Sequence, residues 1–199
     1  MKKILSLGDS YTIGTGVACE ESLSAQLVQA LRAGGWQVAE PLIIACNGWT
    51  TDELEAGILA ANPQGPFDLV TLLIGVNNQY RGYPLNDYRT AFTALLARAI
   101  FLAGSHPGRV VVLSIPDWGV TPFAGSRDRR QVAAEIDAFN AVNYAEAQKV
   151  GALYVDVTVI SRQCSEQQGF LAPDELHPSG AMYALWVEKV LKAAAPILR

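Results

Sequence analysis

At 199 residues the chain has the size of one domain with a sizeable core, and 50% hydrophobic against 17% charged residues points to a compact globular domain and against disorder. A net charge of −4 leaves no basic surplus for the electrostatic binding that nucleic acid requires. No stretch reaches the ~18 uninterrupted apolar residues of a membrane helix.

In chain order, Lys2 and Lys3 ahead of Ile4 and Leu5 imitate the start of an export signal, but the run breaks at Ser6, Gly8 and Asp9. It reads instead as a first strand, Lys3–Leu7. A helix follows at Leu23–Ala33, where Leu23, Leu27, Ala30 and Leu31 share a face and Gly34-Gly35 ends the element. The second strand is expected at Val38–Ala45 and the second helix at Thr51–Ala60, stopped by Asn62-Pro63. A strand at Leu69–Ile74 precedes a helix at Leu85–Ala103, with Gly104 and Pro107 as its stop. The remaining elements are a strand at Val110–Ile115, a helix at Arg129–Val150, a strand at Leu153–Val157 and a helix at Gly180–Ala195.

Strands that are nearly all apolar and alternate with helices describe a parallel sheet covered on both faces. The expectation is a single domain over residues 1–199, α/β in class. It is a three-layer α/β/α sandwich on a five-stranded parallel sheet, with flavodoxin-like order the commonest right-handed solution. The long irregular pieces, Pro116–Ser126 and Ser161–Pro178, lie beyond carboxyl ends of strands, where open parallel sheets bind ligands. Cys19, Cys46 and Cys164 are odd in number and scattered, which suits free thiols and a cytoplasmic setting.

Four polar clusters fall on that rim. Gly8-Asp9-Ser10 ends the first strand, as a plain turn or as the mount of a nucleophile. Neither phosphate-loop pattern fits it, and Thr12 occupies the place of the second glycine of a nucleophile elbow. Asn47-Gly48-Trp49-Thr50-Thr51 reads as a helix start, and Gly75-Val76-Asn77-Asn78 as a turn or as a side-chain donor to an oxyanion. In Pro173-Asp174-Glu175-Leu176-His177-Pro178-Ser179, Asp174 and His177 are three apart, so a carboxylate can hold the imidazole. Pro178 fits the first turn of the last helix. The other histidine, His106, sits in a Gly- and Pro-flanked loop and reads as a surface residue; two separated histidines without a cysteine pair do not make a zinc site.

Together and in this order, the clusters resemble the SGNH-hydrolase superfamily, the GDSL-type esterases and lipases, from Gly8 to His177. The resemblance implies Ser10 as nucleophile, His177 as base and Asp174 as its partner, with oxyanion donors from Ser10 N–H, Gly48 N–H and the Asn77 side chain. Asp9, Trp49, Asn78, Trp118 and Phe123 complete the expected substrate-binding set, with Tyr80 and Tyr83 nearby and Ser114–Phe123 resembling a family segment on the acyl side. The family usually places Asp where Asn78 stands, which puts the hydrogen bonding beside Asn77 in question.

The implied activity is hydrolysis of small carboxylic esters through an acyl-enzyme, without cofactor or metal. Its rivals are acyl transfer, lysophospholipase or thioesterase action at the same site, and a binding module that has lost the chemistry. The lack of a long apolar lid favours short acyl groups. Arg81 reads as solvated, or as a reader of an anionic group. Oligomeric state is left open.

Overall fold

The computed structural model describes residues 1–164, 167 and 169–198; of the irregular piece Ser161–Pro178, positions 165, 166 and 168 lie outside the described residues. The strands are β1 (Ile4–Gly8), β2 (Leu42–Ala45), β3 (Leu69–Leu73), β4 (Val110–Leu113) and β5 (Leu153–Val155). All pair in parallel, in the order β2-β1-β3-β4-β5, which is the flavodoxin-like arrangement. The helices are α1 (Ser10–Ile13), α2 (Leu23–Ala33), α3 (Thr51–Ala61), α4 (Val76–Tyr80), α5 (Leu85–Leu102), α6 (Arg129–Val150), α7 (Thr158–Ser161) and α8 (Gly180–Ala194).

Right-handed crossovers put α2 and α8 together on one face of the sheet and α3, α5 and α6 in series on the other. Every residue of β1, β3 and β4 is buried, as continuous apolar runs demand when both faces are covered. The second strand departs from expectation. It is an edge strand with Leu42 and Ile43 41% and 38% exposed, and it is shorter than the predicted Val38–Ala45. Val38 contributes only an isolated bridge to Lys2, and Pro41 brings no N–H to a ladder.

The short helices α1 and α4 carry no periodicity long enough to read in the sequence. α1 starts after one intervening residue from β1 and α4 after two from β3, and both sit on the rim that the polar clusters share. Pro178 is also placed differently from expectation. It bridges to Leu171 in antiparallel fashion, ahead of the α8 cap, where Ser179 accepts from the Met182 N–H at 3.3 Å.

Candidate active site

Ser10 is the first residue of α1, directly behind β1 and the cap residue Asp9. The turn is tight: a Cβ at Gly8 would lie 2.1 Å from Thr12 Oγ1 and 2.3 Å from Leu73 O, so only glycine fits the chain between strand and helix. Asp9 is buried, and its Oδ1 accepts from the Tyr11 N–H at 3.0 Å. Burial pushes its carboxyl up from 3.8 to about 7, against the lowering effect of the hydrogen bond from Tyr11 N–H.

The Asp174–His177 turn meets Ser10 from the far end of the chain. His177 Nε2 lies 2.9 Å from Ser10 Oγ, and His177 Nδ1 lies 2.6 Å from Asp174 Oδ2. A carboxylate only accepts, so the proton belongs on Nδ1 and leaves Nε2 to accept from the serine hydroxyl. Asp174 Oδ1 also accepts from the Leu176 and His177 N–H groups, at 3.0 and 2.9 Å. Partial burial would raise this carboxyl, but the bonds from His177 and the two backbone N–H groups outweigh it and hold the group below its usual value. The turn is closed by Ala172 N–H to His177 O at 2.8 Å, and it holds Glu175 at a φ of 58°, a left-handed conformation that side chains resist.

Two further turns complete the rim. Gly75, at φ 124°, leads from β3 into α4; a Cβ there would lie 2.4 Å from the Tyr88 hydroxyl, which donates to Asn143 Oδ1 at 2.7 Å. Asn77 follows, and its Nδ2 donates to Trp49 O at 2.9 Å, which leaves its second N–H free to point elsewhere. Gly48 is held by Arg81, whose guanidinium donates to Gly48 O at 2.7 Å and pairs with Glu53 at 3.4 Å. Arg81 therefore clamps the Gly48 turn to the end of α4.

A cleft of about 220 Å³ opens over Ser10 and is lined by Tyr11, Asn47, Gly48, Val76, Asn77, Tyr80, Trp118, Phe123, Leu176 and His177. Of the sequence-predicted substrate contacts, Trp118 and Phe123 lie on this cleft, with ring centroids 6.1 Å apart and Tyr80 against both. Asp9, Trp49 and Asn78 do not. Asp9 is capping α1 from below. Trp49 turns its ring to α3, where a Cβ on Gly57 would meet it at 2.3 Å. Asn78 is fully buried, accepting from Thr51 N–H at 3.1 Å and donating to Thr51 Oγ1 at 2.9 Å. An amide satisfies both Thr51 groups, so Asn in place of the family's usual Asp keeps the α3 and α4 starts joined.

Four cleft residues, Tyr11, Asn47, Val76 and Leu176, carry no chemical signature in the sequence, since their place depends on long-range contacts. Gln79 is a further hidden member: buried under the cleft, it accepts from Trp118 Nε1 at 2.8 Å and donates to Glu135 at 2.7 Å, fixing the indole. Among the described residues no group of three or more His, Cys, Asp or Glu side chains is arranged to hold a metal ion. No helix among them is long and apolar enough to cross a membrane.

A model of the GDSL-like Lipase/Acylhydrolase family matches residues 6–185, nearly the whole chain. The chain belongs to this family. As a GDSL-like hydrolase it shares its fold with solved structures of low sequence identity. The crystal structure of TesA is 22% identical, covers 98% of this chain and 99% of its own, and superposes with a TM-score of 0.75. Axe2, an acetylxylan esterase from Geobacillus stearothermophilus, is 21% identical over 97% of this chain and 94% of that one, with a TM-score of 0.70. The psychrotrophic esterase EstA from Pseudoalteromonas sp., in a structure inhibited by monoethylphosphonate, is 18% identical over 98% of each chain, with a TM-score of 0.69. A search of curated proteins finds no match.

Proposed function

We propose that this GDSL-like protein hydrolyses small carboxylic esters through an acyl-enzyme on Ser10. The observation that carries the reading is the continuous hydrogen-bonded line from Ser10 Oγ through the His177 ring to Asp174, at 2.9 and 2.6 Å. A serine hydroxyl is a weak nucleophile until a base takes its proton as it attacks. Here His177 Nε2 takes that proton while the Ser10 Oγ–carbon bond forms, and Asp174 stabilises the resulting imidazolium. The proton then passes to the leaving alcohol. Water, activated by the same imidazole, releases the acid and restores Ser10.

The negative charge on the tetrahedral intermediate needs donors aimed at it. Ser10 N–H at the start of α1, Gly48 N–H and the free N–H of Asn77 are the groups the cleft offers. The aromatic wall of Trp118, Phe123 and Tyr80 keeps the cleft small and apolar, which favours short acyl groups.

The test is labelling with a fluorophosphonate, followed by mass mapping, together with a p-nitrophenyl ester series of rising acyl length. The expected outcome is a single adduct on Ser10, blocked in Ser10→Ala, and the highest kcat/KM at acetate to butyrate. An unlabelled protein at neutral pH would overturn the reading, and a maximum at long chains would overturn the acyl preference.

A further inference from the structure

A second cavity of about 380 Å³ lies beyond the aromatic wall of the cleft and shares Tyr80 with it. Five polar side chains, Gln79, Arg127, Asp128, Gln131 and Glu135, line it beside the Tyr80 ring and Val132. A third concavity of about 280 Å³ continues it past Gln79 and Glu135, so a groove runs from the Ser10 cleft along the α4 and α6 surface.

Arg127 marks the boundary. Its guanidinium lies 4.6 Å from the Tyr80 ring centroid and 5.3 Å from that of Trp118, and it has no carboxylate partner among the described residues. Stacking on aromatic faces orients a guanidinium while leaving its N–H rim free to donate. Facing it are acceptors. Asp128 caps α6 with Oδ1 alone, and Glu135 accepts from the Gln79 and Gln131 amides at 2.7 and 2.9 Å.

We propose that this cavity is a second substrate subsite that takes an uncharged, hydroxyl-rich part of the ester, with Arg127 and Gln131 as its donors and Asp128 and Glu135 as its acceptors. The proposal rests on the hydrolase reading above. Hydroxyl groups both donate and accept, so they suit a lining in which the Arg127 rim and the second Gln131 N–H can donate while Asp128 Oδ2 and the remaining Glu135 lone pairs can accept. Other occupants fit less well. An alkyl chain would strip water from Arg127, Asp128 and Glu135 without replacing their hydrogen bonds. An anion would meet two carboxylates against one guanidinium, and a cation would meet Arg127 at the threshold.

The subsite is tied mechanically to the cleft, because Glu135 holds Gln79 and Gln79 holds the Trp118 indole. A polar group seated beyond Tyr80 therefore sits against a wall whose Trp118 is braced by these two hydrogen bonds. The bound group would fix the ester carbonyl over Ser10, so its energetic contribution shows in kcat/KM.

The experiment compares kcat/KM for p-nitrophenyl acetate, p-nitrophenyl octanoate, glycerol monoacetate and an acetylated methyl xyloside, in the natural protein and in Arg127→Ala and Gln131→Ala. Both substitutions are at exposed positions, so the fold tolerates them. The expected result is that each variant lowers the ratio of at least one polyol acetate to p-nitrophenyl acetate about tenfold, through KM, the loss of one hydrogen bond involving a charged or well-placed donor. A response confined to the glycerol ester or to the xyloside identifies the source of the hydroxyl groups and supports the subsite either way. Equal losses on all four esters, unchanged ratios, or octanoate as the best substrate with unchanged variants would overturn it. Hydrolysis of none of the four by the natural protein would instead sink the hydrolase reading, and this subsite with it.

Discussion

The two aspartates beside the proposed nucleophile and base are held in opposite ways. Asp9, under Ser10, is 1% exposed, has one oxygen without a hydrogen-bond partner among the described residues, and is pushed by burial to about 7. The Asp174 side chain, beside His177, is 37% exposed and is held low because three hydrogen bonds outweigh its partial burial. The difference follows from where each turn is mounted. The Ser10, Gly48 and Asn77 turns follow strands of the sheet and inherit their place from the buried core. The Asp174–His177 turn is a surface loop that supplies its own rigidity through local hydrogen bonds, at the cost of Glu175 in a left-handed conformation. One half of the site is positioned by packing, the other by polar bonds.

Removing the carboxylate from the polar half should have the largest effect. Asp174→Asn can still accept a backbone N–H, but its amide favours the wrong imidazole tautomer, and kcat should fall by about 10⁴ with KM little changed. A loss below tenfold would show that Asp174 does not orient His177. On the packed half, Asn77→Ala removes one donor to the oxyanion and should lower kcat by about 10²–10³ in steady-state ester assays. An unaltered kcat would remove Asn77 from the oxyanion site.

Asp9 tests the packed half through stability. Because its folded value is raised from 3.8 to about 7, the folded protein holds this proton more tightly than the unfolded chain. Its contribution therefore makes stability fall as pH rises from about 4 to about 7. Asp9→Asn keeps the acceptor for Tyr11 N–H and should abolish that decline, leaving the variant more stable than the natural protein at pH 8 in urea titrations. An unchanged slope would mean that Asp9 is relieved by a partner in solution. Asp174 acts with the opposite sign, its contribution being present above its unfolded value and lost as acid protonates it. The smallest effect is expected at Glu175→Gly, which relieves the left-handed residue and should stabilise the protein by about 0.5–1 kcal/mol in the same assay. Destabilisation there would mean that the Glu175 side chain itself supports the turn.

The order of elements and the parallel sheet were legible because buried strands must be apolar on both faces, and β1, β3 and β4 are written that way. The edge strand was overestimated because Val38–Ala45 has the right composition, whereas pairing also needs the N–H that Pro41 lacks. The motifs located Ser10, Gly48, Asn77, Asp174 and His177 on one rim, and the fold brings them around one cleft. Asp9, Trp49 and Asn78 read as substrate contacts in the sequence because they adjoin those residues in the chain. Adjacency does not settle direction: at a strand end or in a short helix, neighbouring side chains point to different sides, and these three point inward or toward α3.

Sequence by itself determined the local quantities: strand runs, helix faces, glycine at the Gly8 and Gly75 turns, and the residue types able to carry acyl chemistry. Tertiary structure alone decided which of these meet. Ser10 and His177 are 167 residues apart and lie 2.9 Å apart in space. Arg81 became a clamp on Gly48, and Gln79 a brace for Trp118, through contacts that leave no local pattern. The physical reason is that propensity and hydrophobic period act over a few residues, whereas burial, hydrogen-bond partnership and charge environment are set only when distant segments close on one another.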